Sequence, residues 1–173
     1  NLSLNENDVG DFRTFLKLSP PLRTEEDRIS LIKAINKDLI DVIVSDHKPE
    51  DEESKRLTFS QAATGASGIE TLLPLALELF HNDSIKLFKL IKLLTSNPAK
   101  ILKINKGNLS VGNDADLCIV DIYKPWIVKK EKIVSKSKNT SIDDKKIQGQ
   151  VLSTFVKGEE LFKICLLYTS DAA

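Results

Sequence analysis

Ile40-Asp41-Val42-Ile43-Val44-Ser45-Asp46-His47 is the stretch on which the reading of this chain turns. Its first five residues are apolar and β-branched apart from Asp41, the composition of a parallel strand buried on both faces. The strand then ends abruptly at Ser45-Asp46-His47. Parallel α/β barrels set their active sites at the C-terminal edge of such strands. A carboxylate at Asp46 could ligate a metal and take a proton from metal-bound water, whose pKa the metal lowers toward neutrality. An aspartate that caps the loop after the strand accounts for the same three residues, and both readings stand at this point. His47 ranks below Asp46, because neighbours on an extended strand face opposite ways unless the strand ends between them.

Upstream, Thr14 to Leu18 reads as a short strand stopped by Pro20 and Pro21, which remove ladder donors and fix φ. Thr24 is a helix N-cap with Glu25, Glu26 and Asp27 in the first turn, and Ile29, Leu31, Ile32 and Ile35 form one face of a helix ending near Asn36 or Lys37. Downstream, the charged run Lys48 to Arg56, with Pro49, reads as an exposed loop. Gly65 and Gly68 punctuate a small-residue turn, which either lets the backbone approach a ligand or simply leads into the next helix. That helix is expected over Ile69 to Phe80, with Pro74 in its first turn or at a kink, and another over Leu87 to Thr95, followed by a short turn to Leu102. To about Ile104 the order β, α, β, α, α calls for a parallel sheet with helical crossovers.

Beyond Ile104, Gly107, Gly112 and Asn113 cut the chain short, and Ala115 to Val120, Trp126 to Val128 and Val151 to Val156 have strand composition. The expected organisation is therefore an α/β segment over 1–104, a small all-β unit over 105–162, and a foreign or unstructured tail over 163–173. The absence of any methionine and the abrupt start at Asn1 fit an incomplete protein. Asp116 and Asp121 are expected to fix a turn and a strand end, His81 to lie at the surface, and the lysine-rich run Lys129 to Lys138 to be solvated.

Composition removes several function classes. Lys plus Arg and Asp plus Glu number 25 each, so no net field gathers nucleic acid or anionic lipid. A 41% hydrophobic content suffices for a packed core and the substrate class expected is a small molecule. Cys118 and Cys165 form no metal-binding or disulfide pattern, which fits a cytoplasmic location. No apolar run approaches the roughly 20 residues that span a bilayer.

Taken together, Ser19-Pro20-Pro21-Leu22-Arg23-Thr24-Glu25-Glu26-Asp27-Arg28, then Ile40 through Pro49, then Gly65-Ala66-Ser67-Gly68-Ile69-Glu70-Thr71 are similar in order and spacing to the cyclic amidohydrolases, and within them to the dihydroorotases. The similarity continues through Thr95-Ser96-Asn97-Pro98-Ala99, Gly112-Asn113-Asp114-Ala115-Asp116-Leu117, Ser135-Lys136-Ser137-Lys138-Asn139-Thr140 and Gly149-Gln150-Val151. The resemblance implies the C-terminal part of a metal-dependent (β/α)8 barrel followed by strands of a β-sandwich. It implies that Asp46 is both a metal ligand and the catalytic base and acid, that Thr64 and Gly65 contact the substrate ring through their backbone, and that one or two zinc ions are held largely by residues upstream of Asn1.

The chain departs from the family pattern at two substrate-side positions. Ser19 stands where the family has an asparagine, and Glu50 where it has a histidine. The leading expectation is a dihydroorotase interconverting dihydroorotate and N-carbamoyl-aspartate, represented here by a portion inactive by itself. The alternatives are a non-catalytic relative that partners aspartate carbamoyltransferase, and an allantoinase or hydantoinase. A homo-oligomer is also compatible.

Overall fold

The structure is a computed structural model that describes residues 1–164. Thr24 caps α1 (Glu25–Asn36) as expected, its hydroxyl accepting the Asp27 N–H at 3.2 Å. Of the apolar stripe on α1, Ile35 is fully buried and Ile32 partly so, whereas Ile29 and Leu31 are exposed.

Two expected strands are not strands. Residues 40–44 belong to no helix, and the described sheet does not include them. They lie instead against helices: the Ile43 N–H donates to Leu93 O at 3.1 Å and Asn97 Nδ2 to Asp41 O at 2.9 Å. Thr14–Leu16 form a 3-10 turn because Thr14 is engaged from below by Lys55. The Thr14 hydroxyl donates to Lys55 O at 2.5 Å, and Lys55 Nζ returns a bond to Thr14 O at 3.1 Å.

The expected exposed loop over Lys48 to Arg56 contains α2 (Glu52–Arg56), capped by the Asp51 carboxylate on the Ser54 N–H at 2.8 Å. Arg56 pairs with Glu52 and Glu53 on the solvent side. Lys55 points inward, only 2% exposed, and its ammonium also donates to Ala63 O at 2.7 Å. Burial pushes its pKa below the ordinary lysine value.

The helix after the glycine-containing turn, α3 (Leu72–His81), begins later than expected because the Thr71 N–H and hydroxyl both turn back to Gly68 O. Pro74 sits in its first turn, where its missing N–H costs nothing. α4 (Leu87–Leu94) and α5 (Ser96–Ile101) follow. Ile35, Leu77, Leu79, Ile85, Leu90 and Leu93 form the core between these helices, with Ile40 and Ile43 packed on it. His81, expected at the surface, is half-buried: its ring centroid lies 5.6 Å from that of Tyr123, and its Nε2 is buried without a partner among the described residues.

The second half forms an antiparallel sheet in the order β1-β2-β3, with β1 (Leu117–Ile127), β2 (Lys146–Val156) and β3 (Glu159–Lys163). The two expected pieces, 115–120 and 126–128, belong to one strand interrupted by irregular pairing between Asp121 and Pro125. Pro125 cannot donate to a ladder, and the Asp121 carboxylate accepts the Tyr123 and Lys124 N–H groups at 3.0 Å there. Asp116 fixes a turn as expected, accepting the Lys157 N–H at 2.7 Å and pairing with Lys106. β3 was not expected. It takes in Lys163, and the Ile164 N–H donates to Leu152 O, so those two residues belong with the sheet and not with a tail. The rest of the expected tail, from Cys165 on, lies outside the described residues.

Helix and sheet meet at Gly149. Its φ is 102°, and a Cβ there would lie 2.4 Å from Leu77 Cδ1 on α3. Trp126 Nε1 donates to Gly149 O at 2.9 Å and locks the approach. Below it, Val128, Ile133, Ile142 and Ile147 make a second cluster. No helix among the described residues is long and apolar enough to cross a membrane.

Gly149→Ala is expected to cost about 1–3 kcal/mol more than Gly112→Ala in urea unfolding, because both glycines have positive φ but only Gly149 faces a side chain. Lys55→Met is expected to cost about 2 kcal/mol by leaving the Thr14 and Ala63 carbonyls without their donor. The lowered folded pKa of Lys55 means that the unfolded chain holds this proton longer. Wild-type stability therefore gains a contribution as pH rises through the window below 10.5, and the Met variant should lack that rise.

Candidate functional site

Asp46 has φ 43°, in the left-handed region that aspartate tolerates better than most residues. The backbone thus turns at the position where the carboxylate leaves it. His47 then turns to the 65–69 loop, where its Nδ1 accepts the Gly68 N–H at 3.2 Å and the Ile69 N–H at 3.3 Å. A ring nitrogen that accepts two amides carries no proton, so a neutral His47 has its N–H at Nε2. His47 therefore anchors the loop, and its Nδ1 has no lone pair to spare for a metal.

The loop itself is packed backbone to backbone. The Lys48 N–H donates to Ala66 O and the Gly65 N–H to Lys17 O, both at 3.0 Å. Gly65 has φ 145°, and a Cβ on it would lie 2.8 Å from Lys48 O; one on Gly68 would lie 3.0 Å from Ser45 O. The glycines thus serve the approach of one chain segment to another.

These contacts leave the Asp46 side chain exposed, and no hydrogen bond or ion pair engages its carboxylate among the described residues. It lines a cavity of about 340 Å³ together with Ser19, Gly65, Ser67 and the apolar Val44 and Leu72. The Ser19–Pro20 bond is cis. Of the residues expected at the site, Asp46, Ser19 and Gly65 share this cavity. Thr64 is half-buried beside Gly65 but does not line it. Glu50 lines a different cavity, of about 740 Å³, with Phe15, Lys130 and Asn139, and its carboxylate sits 3.7 Å from Lys48 Nζ.

A zinc ion takes three or four protein ligands. No group of three or more His, Cys, Asp and Glu side chains among the described residues could hold a metal. Asp46 fits as one ligand of such a set, being an accessible carboxylate with no competing partner among the described residues.

A strap from the second half of the chain supports this site and was not expected. The Glu70 carboxylate accepts the Val134 and Ser135 N–H groups at 3.0 Å each. Asn139, only 3% exposed, donates from Nδ2 to Gly65 O at 3.2 Å, and its Oδ1 accepts from the Glu50 N–H at 3.3 Å and the Ser67 hydroxyl at 3.0 Å. The Ser67 N–H donates to Asn139 O at 3.2 Å. The Ser137 hydroxyl lies within reach of both Glu50 O and Asn139 Oδ1, with one proton to give. The signal was the alternation in Ser135-Lys136-Ser137-Lys138-Asn139: the lysines are exposed, as expected, while the residues between them turn inward.

The family model described as "Amidohydrolase family" matches residues 13–161. A dihydroorotase of Ehrlichia canis is 41% identical over 162 residues, covering 94% of this chain and 36% of that protein. One of Anaplasma phagocytophilum is 42% identical over 160 residues, covering 92% and 36%. Among solved structures, the L-hydantoinase (dihydropyrimidinase) of Arthrobacter aurescens aligns with a TM-score of 0.85 at 32% identity, covering 94% of this chain and 37% of that one. The chain thus spans a little over a third of the length of these relatives. Because the family match takes in the 40–47 segment, the 65–70 loop, the strap and most of the sheet, the chain belongs to the amidohydrolase family.

Proposed function

We propose that this chain supplies the C-terminal part of a cytoplasmic dihydroorotase, with Asp46 as its proton carrier. The observation that carries the proposal is the Asp46 carboxylate, held out of the backbone lacing by its own positive φ and facing a cavity that Ser19 and Gly65 also line. The relatives at 41% and 42% identity carry that name. The described sheet would be the C-terminal portion of a β-sandwich, and the 40–44 segment the last strand of a (β/α)8 barrel completed by other residues.

In the hydrolytic direction, water adds to the ring carbonyl carbon of dihydroorotate, the ring C–N bond breaks, and the nitrogen leaves with one additional proton. Asp46 takes that proton from the attacking water and hands it to the departing nitrogen, which makes it base and then acid in one turnover. A divalent metal, zinc by the family resemblance, would be held in part by Asp46 and would activate the water and polarise the carbonyl. The family resemblance gives Thr64 and Gly65 backbone contacts to the ring; here Gly65 lines the cavity with its N–H given to Lys17 O and its carbonyl accepting from Asn139 Nδ2, Thr64 lies behind it, and Ser19 belongs to the same cavity wall. Glu50 in this arrangement contributes through the loop it belongs to, since its side chain lines the other cavity.

A hydantoinase reading has one observation in its favour, the 0.85 TM-score to the Arthrobacter enzyme. The substitutions Ser19 and Glu50 are what a non-catalytic partner of aspartate carbamoyltransferase, or of a second copy, would tolerate.

In the complete protein, Asp46→Asn is expected to lower kcat for dihydroorotate by a factor of at least about 100, since a neutral amide cannot accept the proton. Circular dichroism should show an unchanged fold. Activity close to wild type would remove Asp46 from the role.

A further inference from the structure

We propose that Asn139 is a positioning residue that sets the 65–67 backbone against the Asp46 cavity from the far half of the chain. The inference rests on the reading of that cavity as a site for a cyclic amide. Asn139 is buried, and its side chain bonds two segments that follow Asp46 in sequence: the Glu50 N–H on the loop just after it, and Gly65 O and the Ser67 hydroxyl on the next. Ser67 and Gly65 line the Asp46 cavity; Asn139 lines only the other one. It therefore acts behind the loop and touches no substrate.

The geometry separates its two ends. Oδ1 collects donors from Glu50 and Ser67, whereas Nδ2 alone fixes the Gly65 carbonyl. With that carbonyl pinned, the 65–66 peptide keeps one orientation instead of rotating, and the wall that Gly65, Ala66 and Ser67 give the cavity is set before anything occupies it. A preformed wall lowers the ordering cost of binding more than it affects proton transfer at Asp46. The expected kinetic signature is thus a raised KM with kcat nearly kept.

The test uses the complete protein with Asn139→Ala and Asn139→Asp, reading amide hydrogen exchange and steady-state kinetics with dihydroorotate. Asn139→Ala should speed exchange at Glu50, Gly65 and Ser67 by about tenfold while the amides of α4 are unchanged. Asn139→Asp keeps the accepting oxygen and loses only the donor to Gly65, so Glu50 should stay protected while Gly65 and Ser67 exchange faster. In both variants KM should rise by about tenfold with kcat within about threefold of wild type. Faster exchange throughout α4, or an Asn139→Asp protein indistinguishable from wild type, would overturn the proposal. If the wild-type protein turns over no dihydroorotate, the functional reading fails, and the exchange pattern still decides the role of Asn139.

Discussion

Two backbone segments approach more closely here than a Cβ atom allows, and the site depends on that approach. The 65–68 turn lies on the 45–48 segment so tightly that a methyl on Gly65 would meet the Lys48 carbonyl at 2.8 Å. Lys48 and Ala66 then share a backbone hydrogen bond, and His47 can reach the Gly68 and Ile69 amides. With the residues on either side of it committed, Asp46 is held by its neighbours and leaves its carboxylate uncommitted. A catalytic carboxylate needs that combination of fixed backbone and accessible oxygen.

The second half of the chain contributes to the same arrangement. Gly149 lets β2 press on Leu77 of α3, and the strap at 134–139 ties the far side of the 65–70 loop through Glu70, Ser67 and Asn139. Lys55 closes the loop from below by bonding the carbonyls of Thr14 and Ala63. The loop that lines the cavity is thus bonded from several directions by groups that never enter it. Buried polar groups of this kind are costly unless every member finds a partner, and Asn139 finds partners for both ends of its amide.

Local chemistry was legible in the sequence where it is decided locally. Thr24 announces α1 because its hydroxyl satisfies an orphan amide three residues on, and Pro74 fits a first turn for steric reasons that any helix shares. Asp46 stood out by its place at the end of an expected strand, and the structure leaves its side chain exposed on the cavity that Ser19 and Gly65 also line. What stayed hidden depends on partners distant in sequence. Residues 40–44 have strand composition, yet composition does not supply a neighbouring strand, and helix groups meet their backbone here. Lys55 reads as one more charge in a charged run, since its burial depends on carbonyls 41 and 8 residues away. Glu50 sits four residues after Asp46 in the chain, but the turn of the loop sends it to another cavity.

Which ring, if any, the complete protein opens separates the proposed dihydroorotase from the alternative readings. The most direct measurement is the steady-state rate of the metal-loaded protein with dihydroorotate, hydantoin and allantoin in parallel. Dihydroorotate turned over with the highest kcat/KM, and that rate lost when a chelator strips the metal, is the predicted result. No turnover of dihydroorotate by metal-loaded protein, or a preference for hydantoin or allantoin, would contradict it.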